Sequence, residues 1–215
     1  MGYRSMRRRN KGEGMQDGIL TPSSELLQEF QEIGRDLFVS SLISSHGGNM
    51  SVRRGNSIII TRHGSVLGRL KDGTLIETKI DAPLHPLAST ELIVHKTIYQ
   101  RTPALAVVHA HPISAVALSV SVAPKEIVPL DLESEVLVGN VPVIKVAVAS
   151  GSQELADAVS EALREHRIVV VRGHGSFAIG QTLEEAFEWT SCLEQASRVI
   201  LSSTLAELAS RAAQK

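Results

Sequence analysis

Two histidines spaced two residues apart end an apolar run near the middle of the chain. Residues 104–108 are apolar and lead into His109-Ala110-His111, which Pro112 follows. Side chains two apart on a β-strand point to the same face, so both imidazoles would project side by side at a strand end. Imidazole nitrogens are common ligands of divalent metals. The spacing indicates two ligands of one metal ion, and two unrelated surface histidines are the alternative.

A third histidine lies in a glycine turn further along the chain. Arg172-Gly173-His174-Gly175 separates two apolar runs of β type, and glycines allow the backbone to approach a site closely. A β-turn that merely contains a histidine is the alternative. Together with His109 and His111, His174 would supply three protein ligands and leave one position open, which is typical of a catalytic metal.

Polar residues precede the strand of the paired histidines. Ala88-Ser89-Thr90-Glu91 is predicted to begin a helix. Hydroxyl and N–H groups at a helix N-terminus bind anions, and Glu91 beside them would be a metal ligand or a general base. Ordinary helix capping with an acidic first turn explains the same residues. His95, four residues later, is predicted to be a core or surface histidine of that helix.

Two further glycine turns offer backbone N–H groups. His46-Gly47-Gly48-Asn49 adds a side-chain amide, and Thr61-Arg62-His63-Gly64 follows a β-branched run. Neither turn matches a nucleotide-binding fingerprint, and glycine turns are abundant. Each turn alone is a weak signal for phosphate binding.

The elements that must position these groups alternate between helices and strands. Hydrophobic periodicity predicts helices over residues 21–39, 86–100, 113–120, 150–163 and from 182 onward. Extended apolar runs predict strands at 57–61, 74–80, 104–111, 141–148, 168–171 and 177–179. Ser150 with Gln153 and Thr182 with Glu185 match capping boxes. The alternation indicates the α/β class.

Charge is distributed unevenly along the 215 residues, whose formal net charge is −1. Residues 1–16 hold five basic residues and one acidic residue, and the remaining 199 residues hold 17 basic and 22 acidic ones. We predict a disordered basic tail over 1–19 and one folded domain over 20–215. The acidic balance of that domain argues against nucleic acid as a partner.

The chain contains one cysteine and so cannot form an internal disulfide framework. No apolar run approaches the roughly 18 residues that span a bilayer, so no membrane partner is predicted. A single cysteine fits a reducing cytoplasm, which is the predicted location.

From about Glu25 to Leu205, the chain resembles the class II aldolase/adducin family. The resemblance is carried by five segments that occur in the order of the family, namely GGNMS, ITRHG, ASTE, HAH and RGHG. The resemblance implies a three-layer α/β/α domain with a central, mainly antiparallel sheet. It implies a homotetramer of C4 symmetry with the metal site near a subunit interface. The implied reaction cleaves a ketose 1-phosphate, similar to L-fuculose 1-phosphate, to dihydroxyacetone phosphate and an aldehyde through a metal-stabilised enediolate.

The resemblance assigns three groups of site residues. One divalent metal per subunit, zinc by expectation with manganese or cobalt as alternatives, is bound by His109, His111 and His174. Glu91 binds the empty metal and then serves as the catalytic acid/base. The phosphate of the sugar is held by Asn49, Gly64, Ser89 and Thr90.

The sequence departs from the family pattern where tyrosines handle the aldehyde oxygen. Its only tyrosines are Tyr3 and Tyr99, of which Tyr3 lies in the tail and Tyr99 on a helix that is predicted to lie away from the motifs. The segment 128–134, where one tyrosine is expected, contains Asp131 and Glu133 instead. These two carboxylates are the candidates for a second acid/base, and a solvated pair in a loop is the alternative.

Three alternatives compete with the aldolase interpretation. Two are enzymes of the same family, a pentulose-5-phosphate 4-epimerase and a methylthioribulose-1-phosphate dehydratase, and the glutamate of the dehydratase would lie near Asp131 and Glu133. A non-catalytic, adducin-like structural module is the alternative of another class. Such modules lose the metal histidines, whereas this chain keeps all three and Glu91.

Overall fold

The computed structural model describes residues 15–16, 19–20 and 24–214, with side chains from Glu25 onward. The strands are β1 (Met15–Gln16), β2 (Ile19–Leu20), β3 (Asn49–Arg54), β4 (Ser57–Thr61), β5 (Leu75–Lys79), β6 (Ala106–Ala110), β7 (Glu126–Ile127), β8 (Val141–Ile144), β9 (Ile168–Val171) and β10 (Gly175–Gly180). The helices are α1 (Ser24–Val39), α2 (Leu92–Arg101), α3 (Ile113–Ser121), α4 (Leu132–Leu137), α5 (Gln153–Ala162) and α6 (Leu183–Ala213).

The ten strands form one mainly antiparallel sheet in the order β1-β2-β5-β4-β3-β6-β10-β9-β8-β7. Only β8 and β9, among the strands of the described residues, pair in parallel. β6 lies between β3 and β10 and is buried along its whole length. The strand that carries the paired histidines is therefore at the centre of the sheet.

Helices cover both faces of this sheet. Alternate residues of β6 belong to different hydrophobic cores, because side chains alternate across a strand. Val108 packs into the core that includes α1, α3 and α6, and Val107 packs into the core that includes α2 and α5. This arrangement confirms the predicted α/β class with three layers and a mainly antiparallel sheet.

The predicted tail lies mostly outside the described residues. Within 1–19, the structure describes Met15–Gln16 and Ile19 and pairs their backbone at one edge of the sheet. In the described part of the chain, no helix is both long and apolar enough to cross a membrane.

Several predicted elements have the expected bounds. The β-branched run SIIIT forms β4 over Ser57–Thr61, and Ile168–Val171 forms β9. The capping box before α6 is present, since the Glu185 N–H donates to Thr182 Oγ1 over 3.1 Å. Glu185 in turn accepts from the Gln181 N–H over 2.6 Å.

The predicted start of the second helix at Pro86 is wrong. Residues 87–89 instead run beside the end of β4: the His63 N–H donates to the Leu87 carbonyl, and the Ser89 N–H donates to the Thr61 carbonyl. Proline in the first turn is a helix signal. Here, however, backbone groups of residues 87–89 pair with the chain around β4, so they are not free for helical hydrogen bonds and α2 begins only at Leu92. Glu91 consequently precedes the helix.

The predicted strand 141–148 and the capping role of Ser150 also need correction. β8 ends at Ile144, and the chain then leaves the sheet. Ser152, not Ser150, caps α5: its hydroxyl accepts from the Leu155 N–H over 3.0 Å. Ser150 is thereby available for another contact.

Candidate active site

The metal-ligand candidates come together at one end of the central strands. His109 is the penultimate residue of β6, His111 follows one residue beyond the end of that strand, and His174 lies in the turn between β9 and β10. One ring nitrogen from each histidine lies within 4.8 Å of the others. His109 Nε2 and His111 Nε2 are 3.1 Å apart. The structure therefore brings the three predicted ligands together.

Two glycines make room for the His111 ring. A Cβ atom on Gly175 would lie 2.6 Å from His111 Cδ2 and 2.3 Å from the Ala110 carbonyl oxygen. A Cβ on Gly47 would lie 2.9 Å from His111 Nδ1. Side chains at these positions would displace a ligand, so the glycines of GGN and RGHG have a steric role beside the cluster.

The environment keeps the imidazoles neutral. Burial lowers the pKa of His109 well below its usual range, and the neighbouring His111 and His174 lower it further. Burial lowers the pKa of His111 to about 4. Burial also lowers the pKa of His174, although Glu91 acts in the opposite direction. Neutral imidazole is the form that binds metals.

The donor set fits a divalent metal. His109 Nδ1–H donates to the Ser176 carbonyl over 2.9 Å, which leaves the Nε2 lone pair directed at the cluster. Two nitrogens on one tetrahedral zinc, at about 2.0–2.1 Å each, are about 3.3 Å apart, close to the observed 3.1 Å. His174 Nδ1 is buried without a partner among the described residues.

Glu91 is held beside the histidines by groups far away in sequence. The residue is 3 % exposed, and its side chain caps no N–H of α2. Ser150 Oγ donates to Glu91 Oε1 over 2.8 Å, and the Gly151 N–H donates to Oε2 over 3.2 Å. Gly151 has a φ of +58°, a conformation that glycine adopts without strain. The carboxylate is therefore fixed in orientation.

The histidines, Glu91 and the predicted phosphate residues line one cavity of about 340 Å³. A volume of this size accommodates a small ligand. The cavity brings together all four residues of the predicted cradle, namely Asn49, Gly64, Ser89 and Thr90. It is also lined by His46, His63 and Ser65, whose buried Oγ has no partner among the described residues.

Residues 28–201 match the family model described as the Class II Aldolase and Adducin N-terminal domain. The chain belongs to this family. Class II aldolases are lyases that use a divalent metal ion, and the resemblance seen in the sequence is thus confirmed.

Three similar proteins illustrate the range of named activities in the class II aldolase family. The crystal structure of L-fuculose-1-phosphate aldolase from Thermus thermophilus has a TM-score of 0.83 and 39 % identity, and the match covers 86 % of this chain and 97 % of that one. An L-fuculose phosphate aldolase of Methanocaldococcus jannaschii is 28 % identical over 176 residues, 81 % of this chain and 94 % of that protein. A methylthioribulose-1-phosphate dehydratase of Acidiphilium cryptum is 33 % identical over 185 residues, 78 % of this chain and 85 % of that protein.

Asp131 and Glu133, the predicted second acid/base, do not line the cavity of this class II aldolase chain. Asp131 caps α4, where its Oδ1 accepts from the Ser134 N–H over 2.9 Å. Glu133 lies in the first turn of α4 and lines a separate groove beside α6. The structure therefore does not bring these carboxylates to the histidines within one protomer.

Sequence reasoning missed the two groups that hold Glu91 in this aldolase fold. The sequence pattern assigns Ser150 to a helix cap and gives Gly151 no role. A signal is nevertheless present, because Ser150-Gly151-Ser152 offers two hydroxyls for a single cap. Which hydroxyl caps the helix depends on the fold around Glu91.

Proposed function

We propose that this lyase cleaves a ketose 1-phosphate, similar to L-fuculose 1-phosphate, into dihydroxyacetone phosphate and an aldehyde. One observation carries the proposal: a single cavity is lined by three neutral histidines, a buried carboxylate and four groups suited to an anion. Two of the relatives described above are named L-fuculose phosphate aldolases, which supports this substrate class.

The phosphate group would be bound by four of the residues that line the cavity. Asn49 offers an amide, Gly64 a backbone turn with a φ of +73°, and Ser89 and Thr90 offer hydroxyls. Binding energy from this non-reacting group orients the carbonyl end of the substrate. A divalent metal bound by His109, His111 and His174 would polarise the substrate carbonyl as a Lewis acid.

Glu91 is the proton carrier in this proposal. When the C3–C4 bond breaks, the C4 hydroxyl gives up its proton and becomes the aldehyde, while C3 keeps the electron pair of the broken bond. Glu91 as a carboxylic acid then donates a proton to C3, so that no proton is gained or lost overall. In the synthetic direction, the carboxylate removes that proton. The hydrogen bonds from Ser150 and Gly151 hold its oxygens in place, so little reorientation accompanies the transfer.

Dehydration of methylthioribulose 1-phosphate is the second candidate function, and the 33 % identical relative from Acidiphilium cryptum favours it. That reaction would release water and leave a diketo phosphate. The same metal ligands and the same cradle would serve it.

We extend the proposal to zinc as the ion, a C4 homotetramer, one domain over 20–215 and a cytoplasmic location. Exposed apolar side chains on α3 and α4 support an oligomer, since Ile113, Leu132 and Val136 are 67 %, 76 % and 69 % exposed. Surfaces of this kind are commonly covered by another subunit.

Incubation of the purified protein with L-fuculose 1-phosphate, related ketose 1-phosphates and methylthioribulose 1-phosphate tests the reaction. We expect release of dihydroxyacetone phosphate that a chelator abolishes and added zinc, manganese or cobalt restores. A diketo phosphate without dihydroxyacetone phosphate would establish the dehydratase instead. His174→Ala should lose metal and activity, and His166→Ala is its matched control, since His166 lies outside the cavity.

A further inference from the structure

A buried chain of hydrogen bonds connects helix α2 to the cavity. Tyr99 OH contacts Ser51 Oγ at 2.8 Å and the Ser51 carbonyl at 2.9 Å. Ser51 Oγ lies 2.7 Å from His95 Nδ1, and His95 Nε2 lies 2.6 Å from Asn49 Oδ1. These four residues are almost fully buried, and Asn49 also lines the cavity.

The donors and acceptors along this series of hydrogen bonds can be arranged in two ways, here called the first and the second order. Burial lowers the pKa of His95 to about 3, so the ring is neutral and has one donor and one acceptor. In the first order, Tyr99 donates to Ser51, Ser51 donates to Nδ1, and Nε2–H donates to the Asn49 carbonyl oxygen. In the second order, Tyr99 donates only to the Ser51 carbonyl, Ser51 Oγ donates to the Tyr99 oxygen, and Nδ1–H donates to Ser51 Oγ. The Asn49 amide nitrogen would then face His95.

The observed contacts match the first order. Asn49 presents Oδ1 to His95, and its Nδ2 has no hydrogen-bond partner among the described residues. Burial raises the pKa of Tyr99, so the phenol keeps its single proton, which either Ser51 oxygen is placed to accept. The amide N–H groups of Asn49 are then left for the cavity.

We propose that His95 is a positioning residue that fixes the Asn49 amide so that its N–H groups, rather than its oxygen, face the anion in the cavity. The inference rests on the proposed binding of a phosphate group by Asn49. A freely rotating amide would present an acceptor half of the time, and an acceptor repels an anion. The hydrogen bond from His95 Nε2–H to Asn49 Oδ1 removes that alternative.

The hydrogen-bonded residues His95 and Tyr99 lie on α2, which follows Glu91, the proposed acid/base. Glu91, His95 and Tyr99 are spaced by four residues and therefore lie along one side of the helix. In β3, Asn49 pairs directly with His109 of β6. Helix α2 and the residue before it thus carry both the acid/base and the histidine that contacts Asn49, next to a metal-ligand candidate.

Binding of inorganic phosphate to the metal-loaded protein, measured by calorimetry, tests the role of His95. His95→Phe keeps the ring volume but removes both nitrogens, and we expect its phosphate affinity to fall about tenfold, as for the loss of one hydrogen bond to a charged group. His95→Gln keeps an N–H near the Nε2 position and should restore affinity to within about threefold. Metal content should be equal in all three proteins, and His166→Gln is the matched control.

Nitrogen-15 NMR of histidine-labelled wild-type holoenzyme gives a second readout, in which the tautomer of His95 is measured in the wild-type protein itself. We expect the His95 signals, identified by their loss in His95→Gln, to show the neutral Nε2–H tautomer. The Nδ1–H tautomer, equal phosphate affinity in wild type and His95→Phe, or a wild-type protein that binds no phosphate would each overturn the inference. A protein that binds phosphate as expected but cleaves no ketose phosphate would overturn the proposed function and leave the role of His95 intact.

Discussion

Two sides of the cavity differ in how the fold holds their polar groups. On the inner side, Asn49, Glu91 and His109 are 6 %, 3 % and 2 % exposed, and each has a hydrogen-bond partner in another element. On the outer side, the turn of His63 and Gly64 is exposed to solvent. Groups of the inner side cannot reorient, whereas the outer side can adjust to a ligand. We therefore expect the inner side to determine the reaction and the outer side to adjust substrate affinity.

The strongest test of this contrast is Glu91→Gln. The amide retains the shape of the side chain but cannot carry the proton, so we expect kcat to fall about 10³-fold. Metal content should stay at the wild-type level, and steady-state kinetics with metal analysis measures both. Glu161→Gln, on the exposed side of α5, is the matched control. Full turnover by the metal-loaded Glu91→Gln protein would show that another group moves the proton.

Burial of His95 predicts a pH dependence of stability. Its pKa is about 3 in the folded protein against 6.5 for an exposed histidine, so only the unfolded chain gains a proton between these values. Stability is therefore unaffected above pH 6.5 and falls as the pH is lowered toward 3. Between pH 7 and pH 5, this residue alone should reduce the free energy of unfolding by about 2 kcal/mol.

Urea unfolding at the two pH values, with wild type and His95→Gln, measures that difference. The buried histidines of the metal cluster titrate in both proteins, so their contribution cancels in the comparison. The variant should lose about 2 kcal/mol less than wild type on acidification. An identical loss in the two proteins would mean that His95 is accessible to protons in the folded state.

Substitutions of Ser150 and Ser152 should affect different properties, catalysis in the first case and stability in the second. Ser150→Ala removes a hydrogen bond to Glu91, so we expect kcat to fall about tenfold with little change in stability. Ser152→Ala removes the cap of α5 and should cost about 1 kcal/mol of stability while kcat is retained. Kinetics and thermal unfolding of both variants form the test. The reverse pattern would return Ser150 to the capping role that its sequence indicates.

The smallest effect is expected on the outer side. His63→Ala removes an exposed ring, and interactions of exposed groups contribute little, so KM should rise about threefold at unchanged kcat. Substrate titrations measure both constants. A loss of kcat comparable with that of Glu91→Gln would remove the distinction between the two sides.

The parts of the fold that follow from local pattern are predictable from the sequence. The largely β-branched run 57–61 predicts β4 from local sequence alone, and the alternation in His109-Ala110-His111 predicts that both rings lie on one face. The alternation of elements predicts the α/β class, the family resemblance predicts the three-layer architecture, and both predictions are confirmed. The roles of the individual site residues stay predictions.

The parts that depend on distant contacts are not predictable. The start of α2 moves to Leu92 because residues 87–89 run beside β4, and no local signal shows that pairing. Glu91 and Ser150 are 59 positions apart, and Ser51 and Tyr99 are 48 apart. The helix of Tyr99 is predicted to lie away from the motifs, yet Tyr99 is connected to Asn49 through Ser51 and His95. Such contacts exist only once the sheet and α2 have packed together.

The register of β3 against β6 limits how this enzyme can vary in evolution. Asn49 faces His109 across the pair, and a one-residue insertion or deletion within either strand would turn one of them to the opposite layer. Changes in length are confined to turns such as Gly55-Asn56, which joins β3 to β4 on the surface. Homologues that acquire new substrates would therefore differ in the lengths of their turns and keep the lengths of these two strands constant.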